Sequence, residues 1–455
     1  MPLNNDENKK TPLANTDFIS EKIKQRPINR KKLLRRTIIT ASMAVVFGLV
    51  ACLTFLLLQP LLSDKLYPES QPEKVSFPEE SASDELTPEE MFADDNEIAE
   101  SEAMNEESQK NQIDEAIASY AYNESDYARI VASLKDVADE ASRSIVRVTG
   151  ITNSTNWFSD SFENGGASGV IVADNGTALF ILVPSSAVKN AKSIKVKFCD
   201  NSSADAEMCL ADTVTNLCVI SVKLSNLQES TRNNIKLADF ANTNFSNLTG
   251  VPVIAVGSPI GIQNSISIGM ITSDKSPLNL ADSNYKYITT DMLGNSDSTG
   301  AIVGLNGKLL GIIDMNCTSK DKDKKSREGI PNHISAIAIT ELKDLITDLS
   351  NKETRVLFGI RGTTVPVDIQ NEMNMPAGAY VISTVQSSPA MNAGIQSGDI
   401  ITKIDDEEII SFDQFIKKLA DYSPDDIISV TVMRQSNKDY TQLKTKVTLE
   451  SATHD

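Results

Sequence analysis

Between residues 144 and 339 the chain is a succession of short apolar runs rich in β-branched residues and cut by Gly, Asn, Asp and Ser. That rhythm leaves few architectures open. Ser144-Ile-Val-Arg-Val148, Ser168-Gly-Val-Ile-Val172, Ala178-Leu-Phe-Ile-Leu182, Ser193-Ile-Lys-Val-Lys197 and Leu217-Cys-Val-Ile-Ser-Val222 form a first group. Pro252-Val-Ile-Ala-Val256, Ser265-Ile-Ser-Ile-Gly-Met-Ile271, Ala301-Ile-Val303, Leu309-Leu-Gly-Ile-Ile313 and Ile334-Ser-Ala-Ile-Ala-Ile339 form a second. Many short strands with regular turns build a barrel or a sandwich. Upstream, Ile130, Leu134, Val137 and Ala141 recur at helical spacing, which predicts amphipathic helix within 113–144. Residues 341–352 read as a closing helix. Beyond 355 the order changes to strand, strand, short helix, strand, longer helix and two strands.

Charge divides the chain. Residues 1–36 carry ten Lys/Arg against four Asp/Glu, or +6; with −19 overall, the remainder is −25. This split fits a chain parted by a membrane and argues against nucleic acid as a partner. Residues 37–58 are 22 in a row without a charge. As a helix they extend about 33 Å, enough to cross the hydrocarbon core. Arg30, Lys31, Lys32, Arg35 and Arg36 precede them, which orients the N-terminus toward the cytoplasm. The run exceeds a signal-peptide core, and no A-x-A-like site directly follows, which favours a retained anchor over a cleaved signal. Residues 64–110 then hold 16 Asp/Glu and three Lys among Pro, Ser and Asn, a composition expected to remain a disordered, self-repelling spacer.

The cysteines are Cys52, Cys199, Cys209, Cys218 and Cys317. Cys52 lies in the apolar span and Cys218 in an apolar strand, so both read as buried thiols. Cys199 and Cys209 flank an expected hairpin and could pair. No C-x-x-C occurs, and nothing in the spacing calls for a metal or other cofactor.

Several ordered motifs between 144 and 349 resemble the trypsin-like serine proteases of the HtrA/DegP family. Gly250-Val-Pro-Val-Ile-Ala-Val-Gly-Ser-Pro-Ile-Gly-Ile262 and Ser265-Ile-Ser-Ile-Gly-Met-Ile-Thr-Ser273 are similar to the family's G-x-x-V-x-A-I-G-N-P-x-G and S-V-x-x-G-I-V-S segments. Ser296-Asp-Ser-Thr-Gly-Ala301 stands where the family reads G-N-S-G-G-P, which puts Ser298 on the nucleophile position. The family's catalytic histidine lies in I-L-T-N-N-H-V-V. Here Ile181-Leu-Val-Pro-Ser-Ser-Ala-Val188 puts Ser186 there. Its aspartate lies in T-D-L-A-V-L; here Thr215-Asn-Leu-Cys-Val-Ile220 puts Asn216 there. A serine hydroxyl needs a neighbouring base to become a useful nucleophile. Neither replacement supplies one near neutrality. The chain has two histidines, His333 and His454, and neither falls on the motif. Lys189 or His333 could act as a displaced base, or Ser298 could be a retained scaffold residue.

The C-terminal part resembles a bacterial PDZ domain of the kind that follows HtrA protease domains. The resemblance rests on Leu357-Phe-Gly-Ile-Arg-Gly362, Gly378-Ala-Tyr-Val-Ile382, Ser388-Pro-Ala-Met-Asn-Ala-Gly-Ile-Gln-Ser-Gly-Asp-Ile-Ile401 and Ile404-Asp-Asp-Glu-Glu-Ile409. It implies that Leu357, Phe358, Gly359 and Ile360 form a loop whose N–H groups capture a peptide's C-terminal carboxylate. The peptide then adds as a strand beside Ile360 and Arg361, with Phe415 and Leu419 on the opposing helix.

The expected fold is mostly β: a trypsin-like double β-barrel and an α+β PDZ domain, preceded by one transmembrane helix. The expected divisions are a basic tail at 1–36, a span at 37–59, an acidic linker at 60–112, a protease-like domain at 113–353 and a PDZ domain at 354–451. The resemblance implies a membrane-anchored, extracytoplasmic pseudoprotease that binds peptides or unfolded proteins, or else an active endopeptidase with a non-standard base. It also raises a homotrimer, for which Trp157, Phe158 and Phe162 are candidate contacts.

Overall fold

The computed structural model describes residues 41–47, 49–50, 73–77, 124–152, 166–243, 247–315, 332–436 and 439–454. Strands β1 (Ile145–Ile151), β2 (Ala167–Asp174), β3 (Ala178–Pro184), β4 (Ser193–Lys197), β5 (Ser203–Asp212) and β6 (Leu217–Lys223) follow helix α1 (Glu124–Ser142). They pair in the order β5-β4-β1-β2-β3-β6, and β5 returns to β6 to close a barrel. A second closed barrel has the order β10-β11-β12-β9-β8-β7. It comprises β7 (Pro252–Ser258), β8 (Ser265–Leu280), β9 (Ser283–Leu293), β10 (Thr299–Gly304), β11 (Leu309–Ile313) and β12 (His333–Ala338).

The period-2 alternation of a strand explains why the runs are apolar on both faces. On β3, Ile181 and Val183 fill the first barrel's interior, while Phe180 and Leu182 face outward into a core between the barrels. On β7, Val253 and Ala255 fill the second barrel, and Ile254 and Val256 meet Leu182 and Val170 in that shared core. Helix α2 (Lys343–Ser350) adds Leu345 and Leu349 to it, and α1 adds Ala138 and Ala141. Leu134 and Val137 of α1 pack at its margin, whereas Ile130, expected on the same stripe, is exposed.

The third sheet belongs to the PDZ fold. Short strand β13 (Val356–Leu357) leads into β14 (Ile360–Thr364), helix α3 (Val367–Met373) and β15 (Ala379–Thr384). Then come α4 (Pro389–Asn392), β16 (Ile400–Ile404), β17 (Glu407–Glu408), α5 (Phe412–Leu419), β18 (Ile427–Ser436) and β19 (Asp439–Thr448). The sheet order is β14-β15-β16-β18-β19, so β14 is an edge strand. Pro389 opens α4 behind the Ser388 cap, whose Oγ accepts the Met391 N–H. Strands β20 (Glu450–Ser451) and β21 (Thr453–His454) then return the chain to β13 and to β5 of the first barrel. Arg355, at the entry to this sheet, lies 3.9 Å from the buried Asp212 carboxylate and 3.4 Å from Asp348.

Three expectations need correction or restriction. Strand β9 was not anticipated, and β8 runs to Leu280 rather than ending near Ile271. The acidic spacer is not uniform. Val75 is buried, exchanges two hydrogen bonds with the Asn351 side chain (3.0 and 2.9 Å), and Phe77 stacks on Phe240 at 5.1 Å. Of the expected span at 37–59, residues 41–47 and 49–50 are helical and the rest lie outside the described residues. Among the described residues no helix is long and apolar enough to cross a membrane.

Cys199 and Cys209, which could have paired, do not: Cys199 is exposed, and Cys209 and Cys218 are buried, all as free thiols. Burial, with Cys209 nearby, pushes the Cys218 thiol up to about 12. The thiolate is the reactive form, so iodoacetamide should alkylate Cys199 in the folded chain and reach Cys209 and Cys218 only after unfolding. Mass spectrometry of the labelled peptides checks this; equal native labelling of all three contradicts the packing.

Candidate functional site

The loop between β9 and β10 carries Ser298, which is 3% exposed. Its Oγ accepts the Asn295 N–H at 2.8 Å and lies 3.4 Å from Asn295 Oδ1, to which it donates. The Ser298 N–H donates to the Asn295 carbonyl at 3.1 Å. Asn295 Oδ1 also accepts the Asp297 N–H at 2.8 Å, and its Nδ2 donates to the Ile260 carbonyl at 2.9 Å. Residues 295–298 thus form a turn closed on itself and pinned to the neighbouring loop. Thr299, in place of a family glycine, accepts the Ser168 N–H at 2.9 Å and ties this turn to the first barrel. Gly300 must be glycine: its φ is +124°, and a Cβ would lie 2.1 Å from the Val256 carbonyl oxygen.

A serine nucleophile of the chymotrypsin kind needs a base on its hydroxyl and free N–H groups, its own included, for the oxyanion. Here the hydroxyl and the N–H of Ser298 both bond to Asn295. Among the described residues no imidazole or amine hydrogen-bonds Ser298 Oγ.

The other two motif positions lie near one another beside the end of β3. Ser186 is exposed in a 3-10 turn, Ser185–Ala187, at the end of β3. Asn216 precedes β6 with φ +58°, a left-handed conformation that asparagine tolerates, and its carbonyl accepts the Ser185 N–H at 2.8 Å. A cleft of about 340 Å³ is lined there by Ser185, Lys189, Asn216 and His454 among others. His454 arrives on β21, a placement that motif matching had no means to anticipate. His333 is exposed at the start of β12, in register with Leu293.

The PDZ loop is already bonded. Asp282, at the tip of the β8–β9 hairpin, directs Oδ2 to the N–H groups of Phe358 and Gly359, both at 2.7 Å, and Oδ1 to that of Ile360 at 3.0 Å. Its own N–H donates to the Ile360 carbonyl at 2.7 Å. Burial pushes the Asp282 carboxyl up to about 6, although these three donors and Arg355 pull it down. Gly359 has φ +93°, and a Cβ there would lie 2.2 Å from that of Ser388, so the loop's turn requires glycine. Phe358, Phe415 and Leu419 are buried in the core. Phe415 meets Phe358 edge-on at 5.2 Å and stacks on Phe412 at 5.5 Å. Phe415 and Leu419, expected to wall a groove, therefore present almost no surface to a peptide in this state; Leu357 and Arg361 are half-buried. Asp282 was missed because β9 was missed. The signal was Ala281-Asp-Ser-Asn284, a turn between Leu278 and Leu280 and the alternating Tyr285 and Tyr287. Among the described residues no cluster of His, Cys, Asp and Glu could hold a metal.

A family model described as PDZ domain matches residues 359–447. Curated relatives include the periplasmic pH-dependent serine endoprotease DegQ of Escherichia coli K12, 25% identical over 297 residues, covering 64% of this chain and 60% of the relative. Serine endoprotease DegS of Haemophilus influenzae is 25% identical over 309 residues, covering 67% and 84%. Periplasmic serine endoprotease DegP of E. coli K12 is 30% identical over 250 residues, covering 54% and 49%. The chain spans about three fifths of the length of the first of these relatives. Among solved structures, the serine endoprotease from Yersinia pestis is matched with a TM-score of 0.45 at 21% identity, covering 70% of this chain and 97% of that one.

The closed turn generates a direct test. Restoring the family residues in a Ser186→His/Asn216→Asp variant should leave labelling of Ser298 by a fluorophosphonate at background, because the Ser298 N–H and hydroxyl remain bonded to Asn295. Labelling restored by the two changes alone would contradict that geometry.

Proposed function

We propose that this chain, as a member of the HtrA/DegP-like family of trypsin-fold proteins with a C-terminal PDZ domain, is a pseudoprotease that binds peptides or misfolded proteins. The observation that carries this reading is the state of Ser298: buried, with no imidazole or amine bonded to it among the described residues, and with its hydroxyl and N–H both bonded to Asn295.

The magnitudes support this reading. In chymotrypsin-type enzymes the Asp-to-Asn change alone costs about 10⁴ in turnover. Loss of serine or histidine in subtilisin costs about 2 × 10⁶. Oxyanion stabilisation and binding alone give about 10³–10⁴ over water, and the N–H that would share in it is spent here. The retained PDZ fold supports a binding role. Its loop offers converging N–H groups, and β14 is an edge strand against which a peptide can lie.

The proposed place of work is outside the cytoplasm, with residues 37–59 as a single anchor and the N-terminus inside. The uncharged run, the flanking Lys/Arg and the acidic remainder support it. A homotrimer is proposed as the assembly, though Trp157, Phe158 and Phe162 lie outside the described residues.

The deciding experiment is fluorophosphonate labelling of the full chain. The expected result is no signal above that of Ser298→Ala; labelling that vanishes in that variant makes the protein an active serine-type endopeptidase with a non-standard base. Light scattering of the detergent-solubilised chain should give three times the mass of one chain, and a monomer would remove the trimer.

A further inference from the structure

A hairpin-tip aspartate ordinarily satisfies its own turn, bonding the backbone two residues on. Asp282 does something else. Its carboxylate reaches Phe358, Gly359 and Ile360, 76 to 78 residues away, and takes one N–H from each. Its own N–H returns a bond to the Ile360 carbonyl. Asn284, two residues further, donates to the Gly362 carbonyl at 3.3 Å. The hairpin therefore follows the open edge of β14 with a carboxylate at its head, which is how a peptide's C-terminus would lie there.

We infer that Asp282 is an internal substitute for a peptide's terminal carboxylate, keeping the PDZ loop occupied until a free C-terminus from another chain displaces it. This rests on the reading of the PDZ domain as a peptide binder. Two further observations agree. Phe415 and Leu419, on the helix that would face a bound peptide, are packed into the core and offer a peptide almost no surface. The contact is also held at a cost, because burial lifts the carboxyl to about 6 from an ordinary 3.8, with Arg355 the charged group that opposes the shift. The closed state thus holds this proton more tightly than an exposed aspartate would. A competing carboxylate meets a contact it can replace.

Fluorescence anisotropy on the full chain tests this, using a pool of random-sequence fluorescein-labelled hexapeptides with free C-termini and the same pool amidated. Removing an internal competitor raises apparent affinity by the fraction of chains it had closed. Asp282→Ala should therefore bind the free-acid pool at least about tenfold more tightly than the wild-type chain, and should not bind the amidated pool. Asp282→Asn keeps the shape, loses the charge and should shift affinity the same way; it carries the test if the alanine variant is unfolded. Free-acid binding that is equal or weaker in both variants overturns the inference and leaves peptide binding standing. Absence of free-acid binding in all three chains removes the peptide-binding reading itself, and this inference with it.

Discussion

A backbone N–H taken out of water has to find an acceptor, and this chain meets that demand in an unusual way at its two loops of interest. In a serine protease the N–H beside the nucleophile waits for the substrate's oxygen. In a PDZ domain a row of N–H groups waits for a terminal carboxylate. Here the Asn295 carbonyl fills the first and the Asp282 carboxylate fills the second. The scaffold that would present donors to a ligand is intact, and the donors are spent on the chain itself.

Both closures depend on the barrels being fixed against each other. Val170 and Leu182 from one and Ile254 and Val256 from the other share a core, and Thr299 bonds Ser168 across the seam. The PDZ sheet is tied at both ends, by β13 with β20 and by β21 on β5, with Arg355 set between Asp212 and Asp348. Held there, its loop meets the β8–β9 tip. Strand β9 connects the two closed sites in sequence: it begins one residue after Asp282 and ends at Leu293, where the Ser298 loop starts.

The barrels were legible in the sequence because β-branched runs apolar on both faces have few other uses. Strand β9 escaped because its second half, Thr289-Thr-Asp291, is polar and because Asp274, Lys275 and Pro277 disguise the end of β8 as a loop. The role of Asp282 could not be read, since it is a contact across 76 residues set by how one domain sits on another. Phe415 and Leu419 illustrate a different limit. Helical periodicity identifies an apolar face and does not distinguish a groove wall from a core. Only the fold brings His454 to the cleft that Asn216 lines.

Amide hydrogen exchange on the intact chain, resolved to Ser298, Phe358, Gly359 and Ile360, examines both closures at once. Slow exchange at all four, comparable to the strands around them, is the expected result, because each N–H is bonded within the chain. Exchange at Ser298 or at the three PDZ positions as fast as that of an exposed loop would contradict the account, since donors free to exchange are donors free to receive a ligand.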